Sequence, residues 1–189
     1  MNKNSLELLC NDDGIELNKF LPNNDNDNIE KYVFNFTCKE DLSDCDIIEI
    51  IKNNQLFDLI YNLNNNIINE FKMIDDSIIF LKIKDINIDE DSNKKSMFLC
   101  LDEQISDYGE NENNIKVTYK NYKYECEKTK QIEINKLELE CDRKDNNLDV
   151  IIHVAVKTDI CDLSIIDNDA IMIVMKVLFK NLKQYIEPN

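Results

Sequence analysis

The chain has 189 residues, 43% of them hydrophobic, which is enough to bury one sizeable core and too few for two average domains, so residues 1–189 are read as a single domain. Its 38 acidic residues outnumber 22 basic ones and leave a formal charge of −16, which repels phosphate backbones and sets nucleic acid aside as a partner. No stretch reaches the roughly 18 to 20 apolar residues of a membrane span and none after Met1–Asn4 reads as a signal peptide, so a soluble chain that engages no membrane is expected.

Seven cysteines, at 10, 38, 45, 100, 126, 141 and 161, form no closely spaced pair. An odd count without ligand spacing predicts reduced thiols in an intracellular compartment and no metal. Cys38, Cys100, Cys126 and Cys141 fall within or at the ends of strand patterns, where a thiol is a small buried hydrophobe.

In chain order, Ser5–Leu21 opens with SLELL, turns at Asn11–Gly14 and continues as a strand over Ile15–Leu21. Pro22 and the polar run after it make a loop. Tyr32, Phe34, Phe36 and Cys38 alternate as a strand. Asp44–Lys52, DCDIIEIIK, has isoleucines at helical spacing yet an isoleucine density that suits a buried strand, and it is read as a strand. Leu56, Leu59, Ile60, Leu63, Ile67 and Phe71 recur at spacings of three and four, which predicts an amphipathic helix over Gln55–Met73. Ser77–Lys84, Ser96–Leu101 and Ile115–Tyr119 read as strands, separated by loops at Asn87–Lys95 and Asp107–Asn114.

Gln131–Lys157 reads as two long strands around a loop at Asp142–Asn147. The first strand changes phase at Asn135–Lys136, which predicts a β-bulge. The second carries Leu148, Val150, Ile152, Val154 and Val156 on one face and Ile151, His153 and Ala155 on the other, which predicts a central strand covered on both sides. A closing helix is expected after an N-cap at Asp167, with Ile171, Val174, Met175, Leu178, Leu182 and Tyr185 as its apolar face. The expected fold class is α+β: an antiparallel, at most mixed, central sheet flanked by helices on both faces as an α/β/α sandwich.

No catalytic constellation emerges, and no enzyme activity is expected. His153 is the only histidine and reads as a hydrogen-bonded core or sheet-face residue. Acidic surroundings at Cys45 and Cys161 disfavour a thiolate nucleophile. The acidic run at Ile88–Lys95 lacks the glycine and distal glutamate of a calcium loop. Glycine only at 14 and 109 leaves no phosphate cradle, so no cofactor is expected. Asp44, Asp46 and Glu49 read either as edge-strand charges that block aggregation or as a partner-binding acidic patch.

The order of these segments resembles the Mog family, Ran-GTPase-binding nuclear import and guanine nucleotide release factors. LPNN at Leu21–Asn24 with EKYVF at Glu30–Phe34, DCDIIEIIK at Asp44–Lys52, LFDLIYNLN at Leu56–Asn64, MFLCLDEQIS at Met97–Ser106 and the late strand pair at Ile132–Val156 carry the resemblance. It implies a monomer in nucleus and cytoplasm that binds a small GTPase of the Ran type through Asp44, Asp46 and Glu49. The alternative expectation is an assembly subunit of the same architecture with no GTPase partner.

Overall fold

The computed structural model describes residues 6–21, 29–39, 45–86, 95–108, 113–126, 129–157 and 168–187. The chain opens with a hairpin of β1 (Leu6–Asp12) and β2 (Ile15–Phe20), turned by Asp13 and Gly14 at φ 55 and 69. Two consecutive positive φ values are what a tight primed turn requires, and a glycine takes the second at no steric cost. β3 (Ile29–Lys39) follows, then α1 (Ile47–Lys52), α2 (Leu56–Leu63) and β4 (Ile68–Met73). The rest comprises β5 (Ile78–Ile86), β6 (Lys95–Tyr108), β7 (Asn114–Asn121), β8 (Thr129–Gln131), β9 (Ile134–Lys144), β10 (Asn147–Lys157) and the long α3 (Asn168–Ile186).

The strands form a ten-stranded sheet in the order β1-β2-β3-β10-β9-β7-β6-β5-β4, with β8 beside β6. Every pairing is antiparallel except β6 with β8. β10 is interior, bonded to β3 along one edge and β9 along the other. The expected bulge is present: Ala155 faces Lys136 and Val156 faces Ile134, so Asn135 is the extra residue. The hairpin loop is tighter than expected, because Asp142–Lys144 stay in β9 and only Asp145 and Asn146 turn.

The antiparallel sheet with helices is therefore as expected, but the sandwich is not. α1, α2 and α3 all line one cavity against the inner face of the sheet, where Leu148, Val150, Ile152, Val154 and Val156 are buried. On the opposite face Ile151, His153 and Ala155 are half-buried among long charged side chains from β7 and β9, with no helix over them among the described residues. Residues apolar on both sides of a strand thus signalled a central strand, while flanking lysine and glutamate stems provided the second cover. A smaller outer cluster, Phe80, Phe98 and Cys100, lies under Tyr124 and Cys126, where the chain crosses the outer face between β7 and β8. There, too, a strap of chain takes the place of a helix.

Two other expectations change. Where a strand is expected over Asp44–Lys52, the described part from Ile47 is α1, with Ile47, Ile48 and Ile51 on its buried face. The helix expected over Gln55–Met73 ends at Leu63, turns through Asn64–Ile67 and continues as β4, since the asparagines of that turn are poor helix formers. Asp44, Asp167 and Cys161 and the acidic run 88–94 lie outside the described residues.

Candidate functional site

The inner face of the sheet curves around α3, and the space between them is the site. Nineteen side chains line a cavity of about 40 Å³ there, all of them aliphatic, aromatic or sulfur-bearing. α1 and α2 contribute Ile47, Ile51, Leu56, Phe57 and Ile60, and α3 contributes Met175, Leu178, Phe179, Leu182 and Ile186. The floor is built from alternate residues of β5, β6, β7, β9 and β10, including Leu81, Leu101, Tyr119, Leu139 and Ile152. Period-two strands and a helix repeating at three and four residues bring these distant positions together. Aromatic edges fix two walls, with Phe34 against Phe179 at 5.1 Å and Phe57 against Tyr119 at 5.3 Å. No carboxylate, amine, guanidinium or imidazole belongs to the lining.

Polar groups sit at the margins and hold the helices in place. At the start of α3, the Tyr32 hydroxyl donates to Asp169 at 2.6 Å and is 2.9 Å from Glu30, and Lys19 pairs with both carboxylates at 2.9 Å. Asn168 donates to Glu30 at 2.7 Å. Burial pushes the Glu30 and Asp169 carboxyls up, but the donors around them outweigh it and hold both below the usual carboxylate range. Further along α3, Lys176 pairs with Asp12 and Lys180 with Asp13, 2.8 Å away, so the β1–β2 turn clasps the helix. Between α2 and α3, the fully buried Asn64 accepts from Asn181 at 2.7 Å and donates to the Ile60 carbonyl at 2.8 Å.

Asp46 and Glu49 fall beside this site. Asp46 is the N-cap of α1, accepting from the Glu49 backbone N–H at 3.1 Å, and its same oxygen takes the Arg143 guanidinium at 2.7 Å. Burial raises the Asp46 carboxyl, yet Arg143 and the Glu49 N–H hold it below its ordinary value. Glu49 is exposed and pairs within its helix with Lys52 at 3.0 Å. The structure therefore does not present these two as an edge-strand patch. Arg143, the only arginine in the chain, was missed from sequence, although its rarity was a visible signal.

On the outer face, His153 stands opposite Glu138 in the β9–β10 register, and ligand atoms of Glu138, Glu140 and His153 lie within 4.8 Å of one another. Both carboxylates are already engaged: Lys116 reaches Glu138 at 3.0 Å and Glu140 at 2.6 Å, and Lys136 pairs with Glu138. Burial raises the Glu138 carboxyl, but the two ammonium groups prevail and bring it down to about 2. These groups stand where a cation would bind, so the arrangement reads as an ion-pair net.

No family model and no curated protein sequence matches the chain. Solved structures do. The chain is similar to the human StarD13 (DLC2) lipid transfer and protein localization domain, with a TM-score of 0.62 at 6% identity over 99% of this chain and 91% of that one. It is also similar to human StAR-related lipid transfer protein 5, with a TM-score of 0.57 at 7% identity over 96% and 86% of the two chains. A STAR-related lipid transfer protein from Xanthomonas axonopodis aligns with a TM-score of 0.55 at 11% identity over 96% of each chain. At these identities the likeness is one of fold: a helix-grip, in which a long antiparallel sheet wraps a C-terminal helix. That fold overturns the Mog resemblance. The Ran-type GTPase partner, the nucleotide-release activity and the nuclear-import role were implied by that resemblance alone and fall with it.

Proposed function

We propose that the protein binds a small, neutral, apolar molecule between α3 and the sheet and performs no chemistry on it. The observation that carries this reading is the wholly apolar lining of the cavity, to which all three described helices and the sheet contribute. A buried cavity with no charged group penalises a charged guest, since an unpaired charge there costs several kcal/mol or more, whereas hydrocarbon gains roughly 25 cal/mol for each Å² removed from water. The same lining holds no carboxylate, amine or imidazole to act as acid or base, and His153 sits on the other side of the sheet. The helix-grip fold shared with proteins named for lipid transfer supports the reading.

At about 40 Å³ the cavity holds little more than one or two waters, while sites for organic ligands span about 300 to 1,000 Å³. Binding therefore requires a wall to move. Titration with N-phenyl-1-naphthylamine, a neutral fluorophore, should give saturable enhancement at a stoichiometry of about one. Its anionic relative anilinonaphthalene sulfonate should bind at least about tenfold more weakly. Equal affinity for the two, or no saturable signal from the neutral one, would remove the basis for the proposal.

A further inference from the structure

The walls of the cavity are not equally anchored. α3 is tied to β1, β2 and β3 by a series of charged contacts along its length: Asp169 to Lys19 and Tyr32, Lys176 to Asp12, and Lys180 to Asp13. α1 and α2 form a short two-helix segment whose link, Asn53–Gln55, passes through Asn54 at φ 56 and whose exit is the Asn64–Ile67 turn. A left-handed residue between two short helices is a place where a small dihedral change swings one element against its neighbours. Beside the Phe57–Tyr119 contact and the Asn64–Asn181 and Asn54–Asp76 hydrogen bonds, this segment is joined to the sheet by an ion pair from Asp46 to Arg143 on β9.

We infer that α1 and α2 are the wall that opens, and that the Arg143–Asp46 pair is the latch that keeps it closed. The inference rests on the cavity being a ligand site, which it deepens by naming the gate. Three features support the latch. The chain uses lysine at every other basic position and arginine only here, where a planar donor meets a carboxylate. The Arg143 side chain is only 10% exposed, so solvent screens the pair weakly. The Asp46 oxygen that takes Arg143 also caps α1, so losing the latch loosens the first turn of the helix that carries Ile47 and Ile51 into the cavity.

Hydrogen exchange of the full chain, read element by element, tests the latch without a ligand, and the off-rate of N-phenyl-1-naphthylamine tests the gate. Asp46→Asn keeps a good helix cap while removing the charge, and Arg143→Lys keeps the charge while losing the planar fork. Asp46→Asn should speed exchange over Ile47–Leu63 about tenfold and leave Met172–Leu182 and β10 unchanged; Arg143→Lys should do so to a smaller extent, and Glu49→Gln not at all. Probe release should accelerate in the same order. Unchanged exchange over Ile47–Leu63, or an increase spread equally over α3 and β10, would overturn the latch. Selective exchange with no probe bound by any variant would leave the latch standing and reject the ligand reading. Probe release that ignores both substitutions would keep the ligand and discard the gate.

Discussion

Tyr32 shows how one buried hydroxyl can organise an end of the fold. It is fully buried, and its oxygen serves two carboxylates that come from β3 and from the start of α3. Tyr32→Phe removes that donor from both and should cost about 1 to 3 kcal/mol in denaturant unfolding. Because the folded values of Glu30 and Asp169 lie below the ordinary 4.5 and 3.8, their contribution is fully present above those values and is lost as pH falls through the lower, folded ones. The difference in thermal midpoint between wild type and Asp169→Asn should therefore be widest near neutrality and shrink below about pH 4. A gap that stays constant with pH would contradict the network. Sequence made Tyr32 legible as an inward strand residue, but not its partner, which lies 137 positions away with no local pattern to announce it. Cysteines are the converse case. The alternation that placed Cys38, Cys100 and Cys141 inside strands also places them out of reach, and burial, against the pull of Lys72, pushes the Cys100 thiol up to about 11. Native alkylation at pH 8 should label Cys10 and Cys126, both half-exposed, well before those three.

The elements were legible where one period dominated and ambiguous where two fitted. β3, β9 and β10 follow from strict alternation, and the bulge at Asn135 from a single break in it. α1 is only six residues long, too short for periodicity to separate helix from strand, and its Asp46 cap becomes decisive only with the Arg143 contact in view. The long helix expected through Met73 failed because Ile67 and Phe71 continue the spacing of α2 by coincidence; Phe71 in fact comes back on β4 to stack on Tyr61 at 5.9 Å. In α3 the buried face includes Met172, Phe179 and Ile186 beside the expected Met175, Leu178 and Leu182, while Tyr185 faces solvent. The two faces of β10 give a direct check. Val154→Asp places a carboxylate on the helix-covered face and should abolish folding, because several kcal/mol is a large part of a total stability of roughly 5 to 15. Ile151→Lys, on the outer face among Asp149, Glu140 and Lys116, should cost less than about 1.5 kcal/mol and leave a cooperative transition. Equal damage from both would mean that the outer face is covered after all.

At the scale of the molecule, the sheet order and the position of α3 create a property that no short stretch of sequence displays: an apolar cavity assembled from positions between 47 and 186. Composition announced a core of adequate size, but not that it would be split between the sheet and a helix it grips. Nor could it announce that the pieces of the lining meet, since each one reads alone as ordinary core. On the proposed function, a neutral apolar molecule enters this cavity and not the outer face. Methyl-labelled isoleucine and leucine spectra, recorded during titration with N-phenyl-1-naphthylamine, report both places at once. Shifts are expected at Ile47, Ile51, Ile60, Leu139 and Ile152, with Leu6, Leu8 and Ile151 unmoved. Shifts confined to the second set, or none at saturating probe, would contradict it.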